Sequence, residues 1–198
     1  MLFRSEKKFT KCKLHRDRGV PVQEIVSESR YADLIIADST TSFDKKNETR
    51  PTEFVKDLLK EAECPVIIAP KTFTGIDELI FAYDGSRSAA FAIKQFTYLF
   101  PEFDDRKVTV LQVNKEGEWA GSDKYNLKEW LQNRYSSIGF DTVKGKTEEK
   151  LFDYIFGRKN AFVIMGAYGR TNLSRFFKPS KADILIKKIS HPIFISHY

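Results

Sequence analysis

Two cysteines in 198 residues, Cys12 and Cys64, stand in no metal-like spacing and leave nothing on which to build a disulfide framework or a zinc site. No apolar run approaches the roughly 18 residues a membrane span needs, and no charged-then-apolar leader opens the chain, so a cytoplasmic protein is expected. Neither GxxxxGK[ST] nor GxGxxG occurs, which removes the Walker and dinucleotide-fingerprint routes to phosphate. Histidine is scarce: His15, His191 and His197 show no ligand spacing, and no nucleophile and base can be paired by sequence. An enzyme is therefore not expected.

What is present fits a globular chain, with 41% hydrophobic and 30% charged residues. The net charge of +6 is unevenly placed. Residues 1–20 carry Arg4, Lys7, Lys8, Lys11, Lys13, Arg16 and Arg18 against Glu6 and Asp17, which accounts for +5 of it. The remainder is close to neutral, which argues against a nucleic-acid groove across the folded surface and leaves a short, solvated basic arm.

From Ile76 onward, apolar strand-like runs alternate with amphipathic stretches, the pattern of a parallel sheet with helices on both faces. Strands are expected at 78–84, 107–113, 140–144, 161–165 and 192–196. Near-continuous apolar runs suit strands covered on both sides. Helical spacing joins Ala89, Ala92, Ile93, Phe96, Leu99 and Phe100, and again Leu127, Trp130, Leu131, Tyr135 and Ile138. Leu151, Tyr154 and Ile155 mark a third helix, and Ala182, Leu185, Ile186 and Ile189 a fourth. The aromatics in these stripes read as core residues.

An internal repeat organises the rest. Ala32-Asp-Leu-Ile-Ile-Ala-Asp38 parallels Asn160-Ala-Phe-Val-Ile-Met-Gly166, and thirteen residues beyond each come Pro51-Thr52 and Pro179-Ser180. Each pair opens a helical pattern that leads into a matching strand, Cys64–Pro70 or His191–Ser196. Equal spacing with equal element types marks a tandem array. Residues 75–198 then form a complete unit, and residues 1–74 only the later part of one: a strand near Phe9–Leu14, a helix from Pro21 to Tyr31, and the repeated strand-helix-strand. A half-sheet leaves apolar faces uncovered, so this segment should lean on the second unit, swap with another chain, or be the remainder of a truncated one.

Two motifs carry ligand chemistry. Asp84-Gly85-Ser86 ends the second unit's first strand and opens a helix, where free N–H groups attract anions; the plain alternative is that Asp84, Ser86 or Ser88 only caps that helix. Gly166-Ala-Tyr-Gly169-Arg170 follows the fourth strand. Its glycines let the backbone turn tightly and approach a phosphate, and Arg170 offers a charged donor fork, although an isolated GxxG is equally a simple turn.

Strand-DGS-helix, then Val-Ile-Met-Gly-Ala-Tyr-Gly-Arg, then Ser180 opening a helix, and a last strand introduced by His191-Pro192, together resemble the universal stress protein family. The resemblance spans residues 76–198 and returns over about 9–70. It implies an α/β fold of the adenine nucleotide alpha hydrolase type, a five-stranded parallel sheet with helices on both faces, preceded here by a partial copy. It implies domain pairing through the final strands, Val66–Ala69 with Ile193–Ser196, and a homo-oligomer. Nucleotide-binding members carry G-x2-G-x9-G-[ST], an Asp ending the first strand and a valine on the second; Asp84, Val113, Met165, Gly166, Gly169, Arg170 and Ser180 would thus hold ATP or another adenine nucleotide, with Mg only alongside it. The pattern departs at Pro179. Proline lacks the N–H that would face a phosphate, at a cost of roughly 1.5–3 kcal/mol, so binding is expected to weaken about tenfold to a hundredfold. In the first copy the equivalent positions are Asp38, Thr41, Pro51 and Thr52, and Asp38, with Asp44 beside it, has the wrong charge for a phosphate.

Overall fold

The computed structural model describes residues 14–16, 18–43, 51–119, 122–167 and 191–197. The elements run α1 (Pro21–Ser29), β1 (Ile35–Asp38), α2 (Glu53–Glu61), β2 (Val66–Ala69), β3 (Glu78–Ala82), α3 (Arg87–Leu99), a 3-10 turn (Pro101–Phe103), β4 (Lys107–Asn114), α4 (Asp123–Gln132), β5 (Ser137–Lys144), α5 (Thr147–Phe156), β6 (Ala161–Gly166) and β7 (Ile193–Ser196). Phe9–Lys13 of the first expected strand, and the expected helix around Ala182–Ile189, lie outside the described residues.

The strands form one sheet in the order β1-β2-β7-β6-β3-β4-β5. Five of them, β7 through β5 in that order, are mutually parallel, the sheet expected for residues 75–198. β1 and β2 are parallel to one another, and β2 joins β7 antiparallel, with Val66, Ile67 and Ile68 opposite Ile195, Phe194 and Ile193. Every residue of β3 and β6 is buried, as the apolar runs Leu79–Ala82 and Ala161–Met165 suit strands covered on both faces; Glu78, which opens β3, is buried against Thr109 at 2.7 Å and Lys107 at 3.0 Å.

Two apolar layers hold the helices on. Beneath one face lie α1, α2 and α5, contributing Val22, Ile25, Phe54, Val55, Leu58, Leu151 and Ile155; over the other lie α3 and α4, contributing Ala89, Ile93, Phe96 and Leu131. Phe96 is the hub of the second layer. Its ring lies 5.0 Å from Phe162, 5.4 Å from Phe194 and 6.1 Å from Phe81, each in an edge-to-face arrangement.

Local chemistry sets the helix ends. Ser86 caps α3 by accepting from Ala89 N at 3.1 Å, and Pro101 follows its last residues; Thr52 caps α2 by accepting from Val55 N at 3.3 Å. Pro21 opens α1, where a missing N–H costs nothing.

The structure corrects one helix. The apolar spacing predicts helix through Tyr135 and Ile138, whereas α4 stops at Gln132. Tyr135 is instead buried in the connection, sharing a 2.9 Å hydrogen bond with Thr97, and Ile138 pairs with Val108 inside β5. β5 in turn begins three residues before the expected Phe140.

Candidate functional site

The carboxyl ends of β3, β4 and β6 share one rim. β3 pairs in register with β6, Ala82 opposite Met165, so the turns that follow, Asp84–Ser86 and Gly166–Ala167, emerge side by side. The Ser88 hydroxyl, in the first turn of α3, donates to the Ala167 carbonyl at 3.2 Å and ties the two turns together. Gly166 makes the approach possible. A Cβ at that position would stand 2.5 Å from Ser88 C and 2.6 Å from Ala89 N, closer than any side chain tolerates.

Asp84 is exposed, and its Oδ1 accepts from Ser86 N at 2.9 Å, while Gly85 takes φ +82° to turn the chain into the helix. Val113 lies two residues beyond Leu111, the partner of Ala82, and so reaches the same rim; its side chain is buried with Met165 in the layer under α2 and α5. Asp84, Val113, Met165 and Gly166 are thereby brought together. Gly169, Arg170 and Ser180 lie outside the described residues, as does Pro179.

Three neighbours of this rim were not legible as such in the sequence. Tyr83 stacks on Trp119 with centroids 6.0 Å apart and donates its hydroxyl to Asp123 Oδ2 at 3.3 Å. Burial first, and then the Asp123 carboxylate, push the Tyr83 hydroxyl above the usual tyrosine range. Trp119 sits edge-on to Phe140 at 5.3 Å, and its indole Nε1 is buried without a hydrogen-bond partner. The lone tryptophan in the Asn114–Asp123 connection was the only available cue.

Beside the rim opens a cleft of about 670 Å³. One wall is the start of α3 with Ser86, Arg87, Ser88 and Phe91; the other is Lys60 in the last turn of α2 with Glu63 just beyond the helix, and Ala167 and His197 lie between. His197 Nε2 meets the Leu59 carbonyl, while Glu63 is held by Arg30 at 2.7 and 2.9 Å. The antiparallel β2–β7 junction places α2 here, because the start of β2 lies beside the end of β7.

The turn after β1, which the sequence repeat sets against Gly166, closes upon itself. Asp38 Oδ1 accepts from Thr40 N at 2.6 Å, and the Thr52 hydroxyl donates to the Thr41 carbonyl. Among the described residues no cluster of three or more His, Cys, Asp or Glu side chains could hold a metal ion, and no helix is long and apolar enough to cross a membrane.

No family model matches the chain. A universal stress protein from Synechocystis is 24% identical over 139 residues, 69% of this chain and 48% of the relative, so the chain spans about half the length of the curated relative it matches. Among solved structures, a universal stress protein from Archaeoglobus fulgidus superposes with a TM-score of 0.65 at 17% identity, over 89% of this chain and 65% of that one. A putative universal stress protein from Pseudomonas aeruginosa gives 0.51 at 11% identity, over 91% and 69%.

Proposed function

We propose that the chain is a universal stress protein-like, non-catalytic stress-response protein with one weakened adenine-nucleotide pocket, in residues 75–198; its fold and its 24% identity to a universal stress protein support the reading. The observation that carries this reading is the shared rim, where Asp84 and the Gly166–Ala167 turn meet beside the first turn of a 13-residue helix. Free N–H groups at such a position favour a phosphate. In this reading Asp84 and Val113 face the nucleoside, and the Gly166–Gly169 turn, Arg170 and Ser180 face the phosphates. A bound Mg would supply charge neutralisation to those phosphates. Residues 1–74 make the back half of a second unit with a self-closed turn after β1, lend Lys60 and Glu63 to one wall of the cleft, and serve pairing.

Adenine absorbance released on denaturing the purified protein, and a melting shift with Mg-ATP, test the proposal. At ten times the dissociation constant a ligand adds about 1.4 kcal/mol, roughly 3–5 °C for a chain of this size. Gly169→Arg should abolish the shift. Pro179→Gly should restore a backbone donor and tighten binding about tenfold or more. The competing reading is a nucleotide-free scaffold, which gains from the fact that Gly166 is already required by Ser88 and needs no phosphate to explain it. No released nucleotide and no shift at millimolar Mg-ATP would decide for the scaffold.

A further inference from the structure

Near the amino ends of β4 and β5, away from the rim, Arg134 is held against two aromatic rings at the surface. Tyr98 of α3, 53% exposed, meets Trp130 of α4 edge-on at 6.2 Å, and the Arg134 guanidinium stands 5.3 Å from the first ring and 5.5 Å from the second. The group is fixed from beneath. Tyr135, the next residue, is buried and shares its 2.9 Å hydrogen bond with Thr97, which adjoins Tyr98 in α3. Ser136 donates its N–H to the Asp104 carbonyl at 3.2 Å, so the turn before β5 is tied to the turn before β4. Asp104, Asp105 and Arg134 thereby line one hollow of about 340 Å³, and all three residues are exposed. Asp105 reaches the adjoining Arg106 at 3.3 Å, while no carboxylate pairs with Arg134 among the described residues. A guanidinium stacked on rings keeps the edge of its donor fork free for a carboxylate. Tyrosine, tryptophan and arginine are also the residues in which binding energy concentrates.

We infer that this face is a two-fold contact between two copies of the chain, in which Arg134 of each copy enters the hollow of the other and pairs with its Asp104 and Asp105. Charge specifies the occupant. A two-fold contact sets one patch against itself, so the patch has to carry both members of every complementary pair. This one carries a cation and two carboxylates that share a hollow without pairing to each other. An acidic segment of another protein fits less well, because Asp104 and Asp105 would repel what Arg134 attracts. The final strands do not serve a second copy: β2 lies between β1 and β7, and β7 between β2 and β6, so neither has a free edge. The Thr97–Tyr135 bond assembles Tyr98 and Arg134 beforehand, which lowers the ordering cost of association.

Analytical ultracentrifugation of the full chain tests the contact. The chain should be dimeric at about 100 µM, and the dimer should weaken as salt rises, because its ion pairs lie at an exposed face. Arg134→Asp should raise the dimer dissociation constant at least about tenfold, and so should Asp104→Arg combined with Asp105→Arg, since each sets like charges together at both halves of the contact. Mixing those two variants should restore the original affinity to within about threefold, because every contact in the mixed pair then joins opposite charges. Tyr98→Ala changes no charge and should also weaken the dimer. A chain that stays monomeric at about 100 µM would overturn the inference. So would a dimer indifferent to Arg134→Asp and Tyr98→Ala, because the copies would then meet elsewhere, and so would folded charge variants that fail to associate when mixed. Neither the contact nor its test involves nucleotide.

Discussion

Gly166 lacks a side chain because the backbone of Ser88 occupies the place where one would go. Gly166→Ala must push α3 away from β6, and overpacking of this kind costs about 1–3 kcal/mol; a fall in the urea midpoint with an unchanged slope would record it. His191 offers a second test on the scale of one residue. Its Nε2 meets the Arg158 carbonyl at 3.2 Å, its Nδ1 is buried without a partner, and burial holds its pKa below the ordinary histidine value. The unfolded chain therefore binds a proton that the folded chain refuses. Stability is full above the unfolded value near 6.5 and falls as pH drops below it. Melting temperature should decline between pH 7 and pH 5, and His191→Gln should flatten that decline; an unchanged slope would exonerate this residue.

Among the described helices, α3 packs most closely on the sheet, lying on β6 and β7 and carrying Phe96 into the ring cluster. Phe96→Ala should destabilise the protein by about 3–5 kcal/mol, through lost burial and the cavity left among Phe81, Phe162 and Phe194. A smaller loss in calorimetry would mean that the neighbouring rings collapse into the space. α3 was also easy to read, since its apolar stripe, its serine cap and its closing proline agree with one another. α4 was not. Leu131, Tyr135 and Ile138 keep helical spacing by coincidence: the second is held by a hydrogen bond to Thr97 and the third belongs to a strand. β5 lies at the edge of the sheet and is only half-buried, so its alternation is too faint to place its start.

For the molecule as a whole, the near-continuous apolar runs within β3, β4 and β6 made the parallel sheet legible; Asp84–Ser86 follows the end of β3, and Gly166 is the last residue of β6. The walls of the cleft were not legible. Glu63 and Arg87 are far apart in sequence, and only the sheet order brings the end of α2 to the start of α3. Tyr83, Trp119 and Asp123 escaped notice for the same reason, because the pattern of one segment carries no record of which other segment it will touch.

The reversal of strand direction between β2 and β7 has an electrostatic consequence. It sets the negative pole of one helix, the last turn of α2, across the cleft from the positive pole of another, the first turn of α3. The two poles attract and help to clasp the halves together.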